Sequence, residues 1–359
     1  MKNIESDIVI IGAGLTGLAI AYYLKDTNLS VVLVEARDRI GGRIFTKYNE
    51  GSGSVEMGAT WFGKKHTELA SLLDDLGIKA FKQELGETAV YEPMSINPPQ
   101  IVNLPPNDDP SYRIQGGSSS LINTLSESIN DKNLYLNQSV GSIRLLENRM
   151  LVATKGYEFS ADMVLSTLPP YLFHQSITVS PVLPADVRSI AKRTHTWMGD
   201  SIKVGLTYRE PFWRKDNLSG TIFSNVGPIP EMYDHSNFED NRYALKGFFN
   251  GSYHSISREE RLQMVLNQLM KYYGDVVNQY LSYEEKVWSK EKYTYQPYEE
   301  YVLPRQNNGH AIFQKPLLDG RLWIGGSETA EAYPGYMDGA IRSAQFLSKQ
   351  VLEFLISNP

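Results

Sequence analysis

Three groups of residues in this 359-residue chain have types and spacing suited to chemistry. The first is Gly12-Ala13-Gly14-Leu15-Thr16-Gly17, which follows the apolar run DIVII and opens a helical pattern. Gly12 permits a tight turn, Gly14 lets a pyrophosphate approach the backbone, and Gly17 lets helix and strand pack closely. N–H groups at the helix start then face the negative phosphates. Glu35 closes the second strand, VVLVE, and would accept hydrogen bonds from an adenosine ribose. The second group is Gly41-Gly42-Arg43, where backbone can approach more of a diphosphate and a guanidinium can neutralise it. The third is Lys203 in IKVGLTY, placed by alternation on the strand face opposite Ile202 and Val204. The pattern alone leaves Lys203 open between a solvent-facing cation and a functional base. The glycine motif does not choose between NAD and FAD.

The elements that must position these groups follow from periodicity. Strands are expected at 7–11 and 31–35, with a helix from Leu15 to about Lys25 between them. Further strands are expected at 134–137, 140–146, 150–154, 162–167, 203–208 and 243–249, and in RLWIGG near the end. Helices are expected from GGSSSLINTLSESI, over 186–192 and 258–273, and from Asp338 onward. The proline-rich stretch 92–111 reads as a loop or domain crossing. Strands alternating with helices at both chain ends predict an α/β protein: a nucleotide domain of separated segments with another domain inserted.

Composition narrows the function classes. A formal charge of −6 with no basic run argues against a nucleic-acid surface. The absence of cysteine excludes disulfides, thiolate metal sites and cysteine nucleophiles, and fits a reducing compartment. The six histidines show no metal-ligand spacing. No window has the roughly 18 apolar residues of a membrane helix, and the N-terminal apolar run is too short for a signal peptide. A soluble cytoplasmic protein is expected, with no nucleic-acid or membrane partner and with homo-oligomerisation left open.

The chain resembles the flavin-containing amine oxidase family, which includes monoamine oxidases, polyamine oxidases and lysine-specific histone demethylases. The resemblance is carried by IIGAGLTGLAIAYYL with VEARDRIGGR, EMGATWFG and YRIQGGSSSL. It continues through ADMVLSTLPP, IKVGLTYREPFWRK and LWIGGSETAEAYPGYMDGAIRSA. It implies a discontinuous Rossmann-like FAD domain (1–77, 112–180 and 293–359) interleaved with a substrate domain on a mixed sheet (78–111 and 181–292). By that resemblance Gly12, Gly14, Gly17, Glu35, Ala36, Arg37, Gly42 and Arg43 serve the nucleotide. Gly58, Ala59, Thr60 and Trp61 run past the isoalloxazine edge, Val140 presents backbone to the adenine, and Gly326 and Glu328 reach the diphosphate–ribityl region. Met337 offers backbone to the pyrimidine side, and Trp288 closes the flavin pocket.

The activity so implied is transfer of hydride from the carbon α to an amine nitrogen to FAD, giving an imine and H2O2 from O2. Lys203 falls on the family's flavin-N5 lysine. Tyr298 and Tyr336 fall on the two walls of an aromatic cage, and Phe248 on a cavity-lining position. Pro297 stands where monoamine oxidases carry their flavin-linking cysteine, so FAD is expected to be noncovalent. The chain departs from the larger relatives between LLDDLGIKAF and YRIQGGSS, where too few residues remain for several packed helices. The wall over the substrate cavity is therefore expected to be reduced, leaving the site open or covered by a second subunit. Two alternatives stand beside amine oxidation: a flavin desaturase or oxidase acting on carbon substrates, and a non-catalytic flavin-binding protein.

Overall fold

The computed structural model describes residues 2–215 and 218–357. Its centre is a parallel five-stranded sheet in the order Leu134–Tyr135, Val31–Val34, Ile8–Ile11, Met163–Ser166, Leu322–Ile324. The run IVII is wholly buried because the sheet is covered on both faces. Ile8 and Ile10 join one apolar core with the helices Leu15–Leu24 and Met337–Ser357, whereas Val9 and Ile11 join a second core on the other side. These strands come from both ends and the middle of the chain, so the nucleotide sheet is assembled from separated segments.

A seven-stranded mixed sheet forms the other large layer. Its order is Ser282–Val287, Ile202–Tyr208, Tyr243–Phe249, Glu231–Asp234, Ile222–Ser224, Thr88–Glu92, Gln100–Asn103. On one face Ile202, Val204, Leu206 and Met232 pack beneath the helix Arg258–Tyr273 with Val265 and Leu269. Ser257 starts that helix through a reciprocal capping box with Glu260, and Gly274 ends it at φ 73°. The opposite face carries Lys203.

The stretch 92–111 is not all loop. Gln100–Asn103 pairs antiparallel with Thr88–Glu92, Ala89 opposite Val102, and forms the sheet's edge. Pro98-Pro99 and Pro105-Pro106 flank the strand without entering it, which suits proline at an edge. Residues 80–114 contain no helix. Several short elements were not expected from periodicity, among them the helices Thr67–Asp75 and Pro170–Ser176 and the strands Tyr157–Ala161 and Ser282–Val287. Among the described residues no helix is long and apolar enough to cross a membrane, and no His/Asp/Glu group could hold a metal ion.

Candidate active site

A cleft of about 620 Å³ opens at the carboxyl ends of the parallel strands and runs to the Lys203 face of the mixed sheet. At the nucleotide end, Gly12 and Gly14 leave the strand Ile8–Ile11 and enter the helix Leu15–Leu24. Gly14 is the N-cap and no side chain caps the helix, so its leading N–H groups are free for an anion. A Cβ on Gly14 would meet only the Gly42 Cα at 3.9 Å, which leaves a bare backbone cradle. Gly17 lies behind the cleft wall, where a Cβ would fall 2.0 Å from the Gly12 carbonyl oxygen. A Gly17→Ala variant must push the helix off the strand. Its expected result is protein purified largely without flavin, checked by the absorbance ratio of visible to ultraviolet bands.

Glu35 is buried, and its two carboxylate oxygens accept the N–H groups of Ala13 and Arg37, each at 2.9 Å. Ala36, Arg37, Gly42 and Val140 complete this end of the lining. The Arg37 guanidinium is held by Thr294 Oγ1 at 2.6 Å and Glu291 at 3.3 Å. A bare helix start, a glycine cradle and a fixed carboxylate at the end of the next strand fit the diphosphate and ribose of FAD.

Further along, Gly58, Ala59, Thr60 and Trp61 line the cleft with Met337, the first residue of the last helix. Trp288 lines it too and donates its indole N–H to the Met57 carbonyl at 2.8 Å. Arg43 reaches the lining, but its guanidinium is engaged by Glu328. Glu328 is fully buried and lies outside the lining; besides Arg43 it accepts from Ser327 Oγ at 2.8 Å and from the Trp197 N–H at 3.1 Å. Burial pushes its carboxyl up, but the charge and hydrogen bonds of Arg43 outweigh this and hold it below the usual carboxylate range. Gly326 is also outside the lining and donates its N–H to Ser343 Oγ at 3.0 Å. Glu328 thus pins the backbone at Trp197 through a clamp with Arg43.

Lys203 and Phe248 line the far end of the cleft. The Lys203 Nζ donates to the Gly58 carbonyl and sits 5.1 Å from the Phe248 ring centre. Burial pulls its ammonium down to about 8, against the opposing pull of Glu56 and Glu231. The solvent-facing alternative for Lys203 is therefore excluded.

The two expected cage tyrosines are not brought together. Tyr336 lines the cleft, but its ring faces Trp197, 5.7 Å away at 35°. Tyr298 is not part of the lining. Its hydroxyl accepts the Thr196 N–H at 2.7 Å, and its ring lies against Tyr171, with centroids 4.5 Å apart, and stacks on His195. Trp197, whose backbone the Arg43–Glu328 clamp fixes at the cleft, is the ring packed against Tyr336 there. Nothing in the sequence around HTWMGD marks that tryptophan. Lys246 was also missed, although a lysine inside the apolar strand YALKGFF is itself a signal.

A glycine cradle at the carboxyl ends of parallel strands, joined to a mixed sheet bearing a buried lysine, makes a two-part dinucleotide site. The sequence matches the family described as flavin containing amine oxidoreductase over residues 15–93 and 91–352, and the chain belongs to that family. It is an FAD-dependent amine oxidase, and with no cysteine to form a thioether its FAD is held noncovalently. It is 27% identical to "Probable flavin-containing monoamine oxidase A" of Dictyostelium discoideum, over 98% of each chain. It is 25% identical to mouse "Amine oxidase [flavin-containing] B", over 98% of this chain and 87% of the other. Among solved structures it is similar to a putrescine oxidase bound to putrescine, with TM-score 0.85, 24% identity and coverage of 98% and 100%. It is also similar to the cyclohexylamine oxidase of Brevibacterium oxydans IH-35A, with TM-score 0.84, 20% identity and coverage of 98% and 99%. The alignment with the Dictyostelium protein runs over 457 positions against 359 residues here, so that relative carries segments this chain lacks. The family match breaks into two pieces at residues 91–93, where the proline-rich stretch begins.

Proposed function

We propose that this amine oxidase acts on amines carrying a second cationic group, such as a short diamine. The observation that carries this reading is Glu231. In the mixed sheet Lys203 stands opposite Phe248, and Phe248 opposite Glu231, so the three share one face. Glu231 is half-exposed, one strand beyond the cleft wall, and Tyr233 donates its hydroxyl to it at 3.0 Å. The Trp61 ring, itself part of the cleft lining, is 5.5 Å from Tyr233 and 5.8 Å from Phe248. An amine chain leaving the cleft past Trp61 and Phe248 would meet this carboxylate. The likeness to a putrescine oxidase bound to putrescine supports the same substrate class.

In this reading the FAD domain comprises 1–77, 112–180 and 293–359, and the substrate domain 78–111 and 181–292. FAD supplies a two-electron acceptor that takes hydride from the carbon α to nitrogen and returns both electrons to dioxygen, giving an imine and H2O2. Trp197 and Tyr336, packed together, would form one aromatic wall beside the nitrogen, and that wall favours the neutral amine that hydride loss requires. Phe248 would pack against the alkyl chain. Lys203 would hold a proton where dioxygen is reduced. The chain would work in the cytoplasm.

Glu231→Gln separates substrate class from chemistry. A lost charge-assisted contact is worth roughly 1.5–3 kcal/mol, so kcat/KM for a four-carbon diamine is expected to fall on the order of 10–100-fold. The rate with a monoamine of equal chain length should hold. An equal fall for both amines would rule out Glu231 as the second contact.

A further inference from the structure

The sheet face that bears Lys203 carries a second lysine. Lys203 is opposite Phe248 and Gly205 opposite Lys246, so these four residues point the same way. Gly205 makes room for a close neighbour: a Cβ there would fall 2.3 Å from Val55 Cγ1. The strand Gly53–Glu56 packs at this position and brings Glu56 beneath the lysines. Lys246 is completely enclosed, and a buried ammonium without partners is costly. Its Nζ donates to Thr60 Oγ1, and Thr60 Oγ1 donates to the Gly58 carbonyl at 3.1 Å. The same carbonyl accepts from Lys203 Nζ. The Trp61 ring centre is 4.0 Å from Lys246 Nζ, a cation–π distance.

We propose that Lys246 is a positioning residue for Lys203: the two side chains share one hydrogen-bonded segment, Gly58–Thr60, in which Lys246 acts through Thr60 to fix the Gly58 carbonyl that Lys203 donates to, so that Lys246 sets how firmly Lys203 holds its proton. Glu56 is buried with its carboxylate accepting from Thr46 Oγ1 at 3.1 Å and from the Ser118 N–H. Other charged groups around the pair are already engaged. Glu231 takes the Tyr233 hydroxyl. Arg113 binds His235 Nδ1 at 3.0 Å and the Ser236 carbonyl at 2.5 Å, and His235 Nε2 accepts the Glu56 N–H at 3.3 Å. Lys286, opposite Lys203 on the other neighbouring strand, is paired with Glu291. Burial, and then the charge of Lys203, push Lys246 well below the ordinary lysine value, while burial pushes Glu56 up. Lys246 therefore gives up its proton first, and Lys203, the less enclosed of the two, keeps its proton to higher pH.

This inference rests on the reading of Lys203 as the proton-holding group only for its kinetic consequence. The coupling itself is read without turnover, from the Nζ resonance of Lys203 in ¹⁵N-lysine holoenzyme, assigned by its loss in Lys203→Met. Lys246→Met breaks the relay that fixes the Gly58 carbonyl, an acceptor that favours the charged form of Lys203, and should move the Lys203 titration to lower pH on the order of one pH unit. The pH at which flavin reoxidation declines should move down with it. Should Lys246→Met not fold, Thr60→Val, which cuts the same relay, should show the downward shift and decides the matter. A Lys203 titration unmoved or moved to higher pH in the variant that folds overturns the proposal.

Discussion

Lys203→Met is expected to slow reoxidation of the reduced enzyme by dioxygen on the order of 100-fold, while anaerobic reduction by amine is largely unchanged. The variant keeps the stem packed against Phe248 and removes only the ammonium that hydrogen-bonds the Gly58 carbonyl. The sign of the pH dependence follows from burial. Lys203 is pulled down to about 8, so its ammonium is present below that pH and lost above it. Wild-type reoxidation should therefore fall as pH rises through about 8, and the variant should lack that decline. Stopped-flow measurement of the two half-reactions across this range checks both statements. Equal slowing of both half-reactions would remove Lys203 from the dioxygen step.

The second large effect concerns the clamp behind the cleft. Glu328→Ala takes the carboxylate from the Arg43 guanidinium, which is left to Ser327 Oγ and the Trp197 carbonyl, and takes the acceptor from the Trp197 N–H. Breaking a buried ion pair by removing one partner costs roughly 3–5 kcal/mol. Arg43 retains 25% side-chain exposure, so the lower end of that range is expected. The pH dependence has a definite sign here as well. Glu328 is held below its ordinary value when folded, so its contribution is full above the unfolded carboxylate value and is lost as pH falls through the folded one. Denaturant unfolding at neutral and acid pH should show the largest deficit for Glu328→Ala at neutral pH, narrowing on acidification. Because Trp197 hangs from this carboxylate, KM for amine should rise along with the loss of stability.

What could be read in the sequence and what could not divide along physical lines. The cradle was legible because each of its positions admits few residue types: Gly17 must lack a Cβ beside the Gly12 carbonyl, and Glu35 must end a buried strand. Lys203 was legible as a strand residue facing away from Ile202 and Val204, but its burial depended on what covers that face. Glu231 and Lys246 come next to Lys203 only through the register of three strands, which no local pattern specifies. The placing of Tyr298 was illegible for a different reason: the Thr196 N–H and Tyr171 hold its ring outside the cleft lining, while Trp197 packs against Tyr336. The strand Gln100–Asn103 was hidden by the prolines on either side of it.

The most direct test of amine oxidation at this site is spectroscopic. Purified yellow enzyme is mixed with a four-carbon diamine without air, then exposed to dioxygen while peroxide is counted. The expected result is loss of the oxidised-flavin absorbance on adding amine, its return in air, and one H2O2 formed for each amine oxidised. A flavin spectrum unmoved by that diamine and by a panel of monoamines, with no peroxide above a boiled control, would contradict it.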